Sequence, residues 1–369
     1  MIKLAKPIIS ETVIQEVAEV IRSGNLVQGL RVEQFEEALR NYLNIKHAIV
    51  VSSGTAALHL ALMALHITNG DEVLVPAFTF PAPANVVENV GAKPLLVDIS
   101  LDDFCMDPSR IEEAITERAK AIIVVHEFGQ AAELEKIVEI AKRRHLVLIE
   151  DAACAIGARW KNRPVGSFGL LGCFSFHPRK IMTTGEGGAI TTGDASLAKR
   201  VRALHSHGLS TPGTLEFTDA GLNYRMTDFQ AVMGHGQLGH VEEEIETRIQ
   251  QAHRYRGNLS SCDWLRTPDT LENRRHIYQT FHVLLDDELD RDQFIRHLKE
   301  QDIEANLGAQ ALHILPFYKA KYGYDPSDYP QALRACRQGL ALPVGSHLSG
   351  ENIDYICDRL RHIHRRMSD

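Results

Sequence analysis

Five short apolar runs punctuate the first 150 residues: Ala48–Val51, Val73–Val75, Pro94–Val97, Ala121–Val125 and Leu146–Ile149. Runs this apolar fit strands covered on both faces, as in a mainly parallel sheet. The links between them agree. In Ala131–Arg144, the residues Leu134, Ile137, Val138 and Ala141 fall at i, i+3, i+4 and i+7. Glu133, Glu135, Lys136, Glu139 and Lys142 fall mostly elsewhere, so the segment predicts an amphipathic helix leading into the next strand. Strand, helix, strand in this rhythm is the mark of an α/β fold. The segment Ala56–Leu65 is apolar nearly all round, broken only by His59, and predicts a buried helix.

From about Arg248 the rhythm changes. Tyr278–Leu285, Arg291–Glu300, Pro330–Gly339 and Glu351–His364 read as strand, helix, helix, helix. We therefore expect a large α/β domain over 1–245, including the N-terminal segment, and a smaller α+β domain over 246–369. A chain of 369 residues is long enough to bury both cores. Its net charge of −8 argues against nucleic-acid polymers and anionic membranes as partners, since both select a basic surface. No stretch approaches the ~18 apolar residues of a membrane span, and the start Met-Ile-Lys-Leu-Ala-Lys-Pro lacks the apolar core of a signal peptide. Six scattered cysteines form no CxxC pair, which excludes a disulfide framework or a zinc ribbon. A reducing, cytoplasmic setting is expected.

Chemistry concentrates between residues 146 and 192. The run Leu146–Ile149 ends in Glu150-Asp151, at the kind of strand end that faces the ligand crevice of an open α/β sheet. Lys180 follows 29 residues after Asp151, between Phe174-Ser175-Phe176 and the tight turn Thr183-Thr184-Gly185-Glu186-Gly187-Gly188, which would fix it. A lysine with the usual pKa of ~10.4 is a poor nucleophile at neutral pH, so burial or a nearby cation is expected to lower it. A carboxylate ~4 Å from a pyridinium nitrogen contributes on the order of 4 kcal/mol at an effective dielectric of 20, enough to keep that nitrogen protonated. An amine for an aldehyde and an acid for a ring nitrogen are the two side chains that pyridoxal phosphate chemistry requires. The bland alternatives are a solvated lysine and an acid that merely ends a strand. Glu150 should point to the opposite face.

Upstream, Gly54, Thr55 and Ala56 open the buried helix, where backbone N–H groups can hold a phosphate, or Ser52 to Ala56 can form an ordinary cap. Phe80 follows the Val73–Val75 strand and can stack on a heteroaromatic ring or simply fill core. His126-Glu127 opens like a zinc-protease helix, but Gln130 stands where the second histidine is needed. No metal site is read.

Taken together, the chain resembles the DegT/DnrJ/StrS family of sugar-nucleotide aminotransferases, pyridoxal phosphate enzymes of fold type I. The ordered matches run nearly end to end. They include Ser52-Ser-Gly-Thr-Ala-Ala-Leu58, Val125-His-Glu-Phe-Gly-Gln130, Ile149-Glu-Asp-Ala-Ala153, Phe174-Ser-Phe-His-Pro178, Gly185-Glu-Gly-Gly188 and Asn223-Tyr-Arg-Met-Thr-Asp228. The resemblance implies a large, mainly parallel seven-stranded sheet with a smaller C-terminal α+β domain. It makes Lys180 the Schiff-base lysine and Asp151 the pyridinium partner. Phe80 falls where the family sets a ring over the coenzyme, Gly54, Thr55 and Ala56 on the phosphate loop, and Ser175 as another phosphate donor. Asn223 matches an asparagine that reaches the phosphate from the neighbouring subunit of a homodimer, and His313 a histidine near the sugar-nucleotide pocket. One position departs from the pattern: the family usually has Gln or His near the coenzyme ring oxygen, and here it is Cys154. Lys180 also argues against the branch that carries histidine and dehydrates. The implied activity is ping-pong transamination from an amino-acid donor, L-glutamate, to a keto-sugar nucleotide in amino-sugar biosynthesis. Two other readings keep the same residues: a non-catalytic coenzyme-binding sensor, and a lyase or aldolase on the same fold.

Overall fold

The computed structural model describes residues 1–210 and 215–368. Seven strands form its central sheet: β1 (His47–Val51), β2 (Glu72–Pro76), β3 (Lys93–Val97), β4 (Ala119–Val125), β5 (Val147–Asp151), β6 (Leu171–Ser175) and β7 (Gly188–Thr192). Their order across the sheet is β1-β7-β6-β5-β4-β2-β3. All five apolar runs became strands. Alternate side chains feed two cores, one on each face. Ile49, Val73 and Ile123 pack with the helix Gly54–Ala64 on one side. Val50, Leu74 and Ile122 pack on the other with Phe35 and Leu39 of Leu30–Leu43 and with Ile137 of Leu134–Arg143. The helix Gly54–Ala64 is buried as expected, and its His59 meets the Tyr224 hydroxyl at 3.1 Å.

Pairing is parallel except at β7, which runs antiparallel to both β1 and β6. The cause is the β6–β7 connection. It contains no helix, so the chain turns back at the same edge of the sheet instead of crossing over. Ser175 ends β6 directly opposite Gly188, which starts β7, so the intervening loop lies over the C-terminal ends of the parallel strands. Register levels the ends of β4 and β5, Val125 facing Asp151, while Asp151 faces Cys173 and β6 runs on to Ser175.

The helix Leu134–Arg143 starts three residues later than periodicity predicts. Ala132 is held instead by tertiary bonds, its N–H donating to His126 Nδ1 at 3.1 Å. The smaller unit has an antiparallel sheet of β8 (Leu265–Arg266), β9 (Phe281–Leu285) and β10 (Gly339–Leu342), in the order β8-β9-β10. Its core includes Tyr255, Phe281, Phe294, Leu340 and Ile356. The two units are joined differently from a simple division at 245. The helix Val241–Leu259 is continuous; Val241 and Ile245 belong to the large core and Ala252, Tyr255 and Leu259 to the small one. The N-terminus pairs with the small unit, Ile2 donating to the Asp302 carbonyl at 2.6 Å and bridging to Ile303. Ala311, Leu312 and Ala332 return to pack against the large sheet. Periodicity reveals an apolar face but not which core receives it.

Glu150 and Asp151 point to opposite faces of β5, as strand alternation requires. Glu150 is fully buried and accepts N–H bonds from Gly166 (2.7 Å), Phe168 (2.6 Å) and Gly169 (2.7 Å). His126 Nδ1 is already an acceptor, so its Nε2–H donates to Glu150 at 3.0 Å. This carboxylate ties the 166–169 loop and the end of β4 beneath the sheet edge. Glu150→Leu strands four donors, each costing about 1–3 kcal/mol when left without a partner. We expect a loss of stability above about 3 kcal/mol in urea unfolding; a loss below about 1 kcal/mol would contradict the assignment.

Candidate active site

The loop over the strand ends is tightly held. Within it, the Lys180 N–H donates to the His177 carbonyl at 2.8 Å, and the Thr183 hydroxyl donates to the Phe176 carbonyl at 2.8 Å. Gln279 clamps the backbone on both sides of Lys180. Its Oε1 accepts from the Ile181 N–H at 2.9 Å and its Nε2 donates to the Arg179 carbonyl at 2.7 Å. Gln237 does the same for Thr183, accepting at 3.1 Å and donating at 2.6 Å. The lysine is therefore fixed, as its flanking turn suggested. Gln279 and Gln237 escaped notice because they lie 98 and 54 positions from their partners.

Lys180 is half-buried, and its Nζ donates to Cys154 Sγ at 2.9 Å. Asp151 is buried, with one oxygen accepting the Ala153 N–H at 3.0 Å. A third acid stands with them. Glu127, in the turn just past β4, is buried; one of its oxygens, Oε2, has no hydrogen-bond partner among the described residues. Burial pushes the Glu127 carboxyl up to about 7, with the Thr79 hydrogen bond and the Lys180 charge opposing and the Asp151 charge adding. Burial also raises Asp151, against the Ala153 N–H and the charge of Lys180. The Cys154 thiol is raised for the same reason, with Lys180 opposing. The expectation that the surroundings lower Lys180 is not met. Burial is the largest influence and does push it down, but Cys154, Glu127 and Asp151 together carry it upward.

The signal for Glu127 was present in the sequence. It follows the apolar run Ala121–Val125, but beside His126 it reads as part of a zinc motif or of the family match.

Around this cluster lie the other expected residues. Ser53 caps the helix Gly54–Ala64, its Oγ accepting the Ala56 N–H at 3.0 Å. That engages Ala56 and leaves the N–H groups of Gly54 and Thr55 without acceptors among the described residues, as a helix N-terminus offers to an anion. Gly54 lies against Ser175: a Cβ on Gly54 would meet the Ser175 Cβ at 2.7 Å and its hydroxyl at 3.2 Å. Only glycine allows the two to share one cradle. Phe80 is 70% exposed, so its ring does not fill core. Asn223 is exposed, next to Tyr224, whose carbonyl accepts the Ser52 N–H at 2.8 Å. His313 is different: it is fully buried, its Nε2 is bonded to the Pro326 carbonyl at 3.2 Å, and its ring packs on Tyr329. Its Nδ1 is buried with no partner among the described residues. A cleft of about 440 Å³ opens behind the loop, lined by Lys6, Pro178, Lys180, Gln237 and Arg248, and shares only Lys180 with the cluster.

The arrangement thus provides a fixed amine, a buried acid on the neighbouring strand end, a helix N-terminus with a hydroxyl beside it, and an exposed aromatic ring. The donor set and the close Gly54–Ser175 approach fit a phosphorylated pyridine aldehyde.

Comparison with known proteins agrees. Residues 7–361 match the model of the DegT/DnrJ/EryC1/StrS aminotransferase family. The chain is 39% identical to the GDP-perosamine synthase of Caulobacter vibrioides over 89% of this chain and 88% of that one. It is 37% identical to the UDP-4-amino-4-deoxy-L-arabinose–oxoglutarate aminotransferase of Shewanella sediminis, covering 86% of each. Among solved structures, the PLP form of the sugar aminotransferase Spr1654 from Streptococcus pneumoniae superposes with a TM-score of 0.93 at 29% identity, covering 99% of both chains.

The buried acid has a measurable consequence. Glu127 sits at about 7 in the fold against an ordinary 4.5, so between these values the folded chain holds a proton the unfolded chain has lost. Its contribution is therefore lost as pH rises from about 4.5 through 7, by about 3 kcal/mol in all. Glu127→Gln stays neutral, and its unfolding free energy is expected to gain on the parent's steadily from pH 5 to pH 8; a difference independent of pH would contradict this.

Proposed function

Because the chain belongs to the DegT/DnrJ/EryC1/StrS aminotransferase family and is a pyridoxal-phosphate-dependent transaminase, we propose that it moves an amino group from L-glutamate to a keto-sugar nucleotide in amino-sugar biosynthesis. The observation that carries this is the Lys180 amine held at the same sheet edge as the Asp151 carboxyl. The relatives support the substrate class. One is named for a GDP-linked amino sugar, the other for a UDP-linked amino sugar and oxoglutarate, the keto acid that glutamate becomes.

Lys180 would hold the coenzyme covalently, Asp151 its ring nitrogen, and Gly54, Thr55 and Ser175 its phosphate. Cys154 would lie near the ring oxygen and Phe80 over the ring. The bound coenzyme supplies an electrophilic aldehyde and an electron-accepting ring. Once released, Lys180 acts as general base and acid, taking the proton from the donor's α-carbon and returning it on the other side of the transfer. Asp151, buried and kept from water, holds the proton on the ring nitrogen throughout. The Gln279 clamp keeps the lysine in reach in both directions.

Asn223 would complete the phosphate site of a second subunit. Its exposure supports this, as do the exposed apolar residues Ile14, Ile21, Val27 and Leu30 in and between the first two helices. All six cysteines are free, which suits a cytoplasmic setting. Among the described residues no helix is long and apolar enough to cross a membrane.

A panel of keto-sugar nucleotides with glutamate, read by mass spectrometry, is expected to yield an amino-sugar product with at least one member. Lys180→Ala should abolish turnover and the mass gain at position 180 on borohydride treatment; normal turnover would overturn the reading. Co-expressing Lys180→Ala with Asn223→Ala subunits tests the shared site. A mixed dimer retains one intact site, so activity should reappear that neither parent shows, and its absence would place Asn223 within its own subunit's site.

A further inference from the structure

Asp151 cannot serve both the ring nitrogen and the lysine. If the proposed function holds, and this inference rests on it, Asp151 is committed to the coenzyme. A released Lys180 ammonium then needs another counter-charge, since a lone buried charge is strongly disfavoured. Glu150 is unavailable, being on the opposite face with both oxygens engaged. The Cys154 thiol accepts from Lys180 Nζ, but burial disfavours its anion. Glu127 remains. It follows β4, whose Val125 is in register with Asp151, and its Oε2 is buried without a partner among the described residues. Thr79, itself buried, bonds to the Glu127 carboxyl and orients it.

We propose that Glu127 is a positioning residue for the transamination, the carboxylate that balances and aims the free Lys180 ammonium while Asp151 serves the coenzyme. Glu127 releases its proton to solvent as the pair forms. When the lysine is neutral or covalently engaged, Glu127 returns to the carboxylic acid by taking a proton from water. The titratable groups that face it are Lys180, Asp151, Cys154 and the buried Cys105 thiol. Lys180 is the single cation among these four.

The test begins with the coenzyme-free protein. Its lysines are dimethylated with ¹³C-formaldehyde and the Lys180 signal, assigned by its loss in Lys180→Ala, is followed by NMR against pH. In Glu127→Gln, proton affinity at Lys180 is expected to fall at least about tenfold, the effect of removing an opposite charge within ~4–6 Å. With the coenzyme loaded, the alkaline limb of the single-turnover rate with glutamate should move to lower pH by a similar factor. Thr79→Val, which loosens the same carboxylate, should shift both in the same direction by less, and serves if Glu127→Gln does not fold. Glu127→Asp should restore part of the affinity. An unchanged Lys180 titration in folded Glu127→Gln would overturn the proposal, as would an unchanged titration in Thr79→Val if that variant alone folds. Borohydride trapping separates the two levels. Trapping at Lys180 with no shift in its titration refutes only the role of Glu127, whereas no trapping in the parent refutes the proposed function itself.

Discussion

The parallel pairing of β5 with β4 on one side and β6 on the other is the constraint on which the rest depends. Its register puts Asp151 level with Val125, where both strands end, and β6 runs on past Cys173 to Ser175. The candidate site residues are reached from that edge. Asp151 closes β5, Glu127 follows β4, and Ser175 closes β6 and leads into the loop that carries Lys180. A slip of one residue in β5 would send Asp151 to the opposite face and bring Glu150 to the crevice. The bonds from Gly166, Phe168, Gly169 and His126 to Glu150 oppose that slip, because they can form only with Glu150 on its present side.

The antiparallel β7 is the second element of this design. Had the chain crossed over with a helix after β6, as it does on the way to β2, β3, β4 and β5, Lys180 would have been carried away from the strand ends. The direct return keeps it there, and Gln279 and Gln237 from distant parts of the chain make the loop rigid. The cluster beneath it is rich in acids. Burial pushes the proton affinity of the lysine down, but Cys154, Glu127 and Asp151 together outweigh it.

Much of this was legible in the sequence. Apolar runs that must be covered on both faces announced five of the seven central strands, and the acid and lysine at Asp151 and Lys180 followed from where strand ends lie. The buried helix after Ser53 and the glycine at its start were equally plain, since composition alone shows that no face of Ala56–Leu65 suits water. Other features were hidden for reasons of distance. Gln279 bonds to residues far away in the chain, and nothing in its neighbours marks it. The short strands Leu265–Arg266 and Gly339–Leu342 lack the length that makes alternation visible. Glu127 was in view, but its neighbour His126 suggested a metal ligand rather than a strand-end acid. His313 matched by position, and it lies buried against Tyr329 and the Pro326 carbonyl.

The pairing of Ile2 with Ile303 bears on how the molecule is made. A ribosome delivers the amino end first, and the partner of that end emerges only after some three hundred further residues. The large sheet has all seven of its strands before then and can form while synthesis continues. Ile2 can pair only once the segment around Ile303 has emerged, so this contact between distant parts of the chain forms late in synthesis.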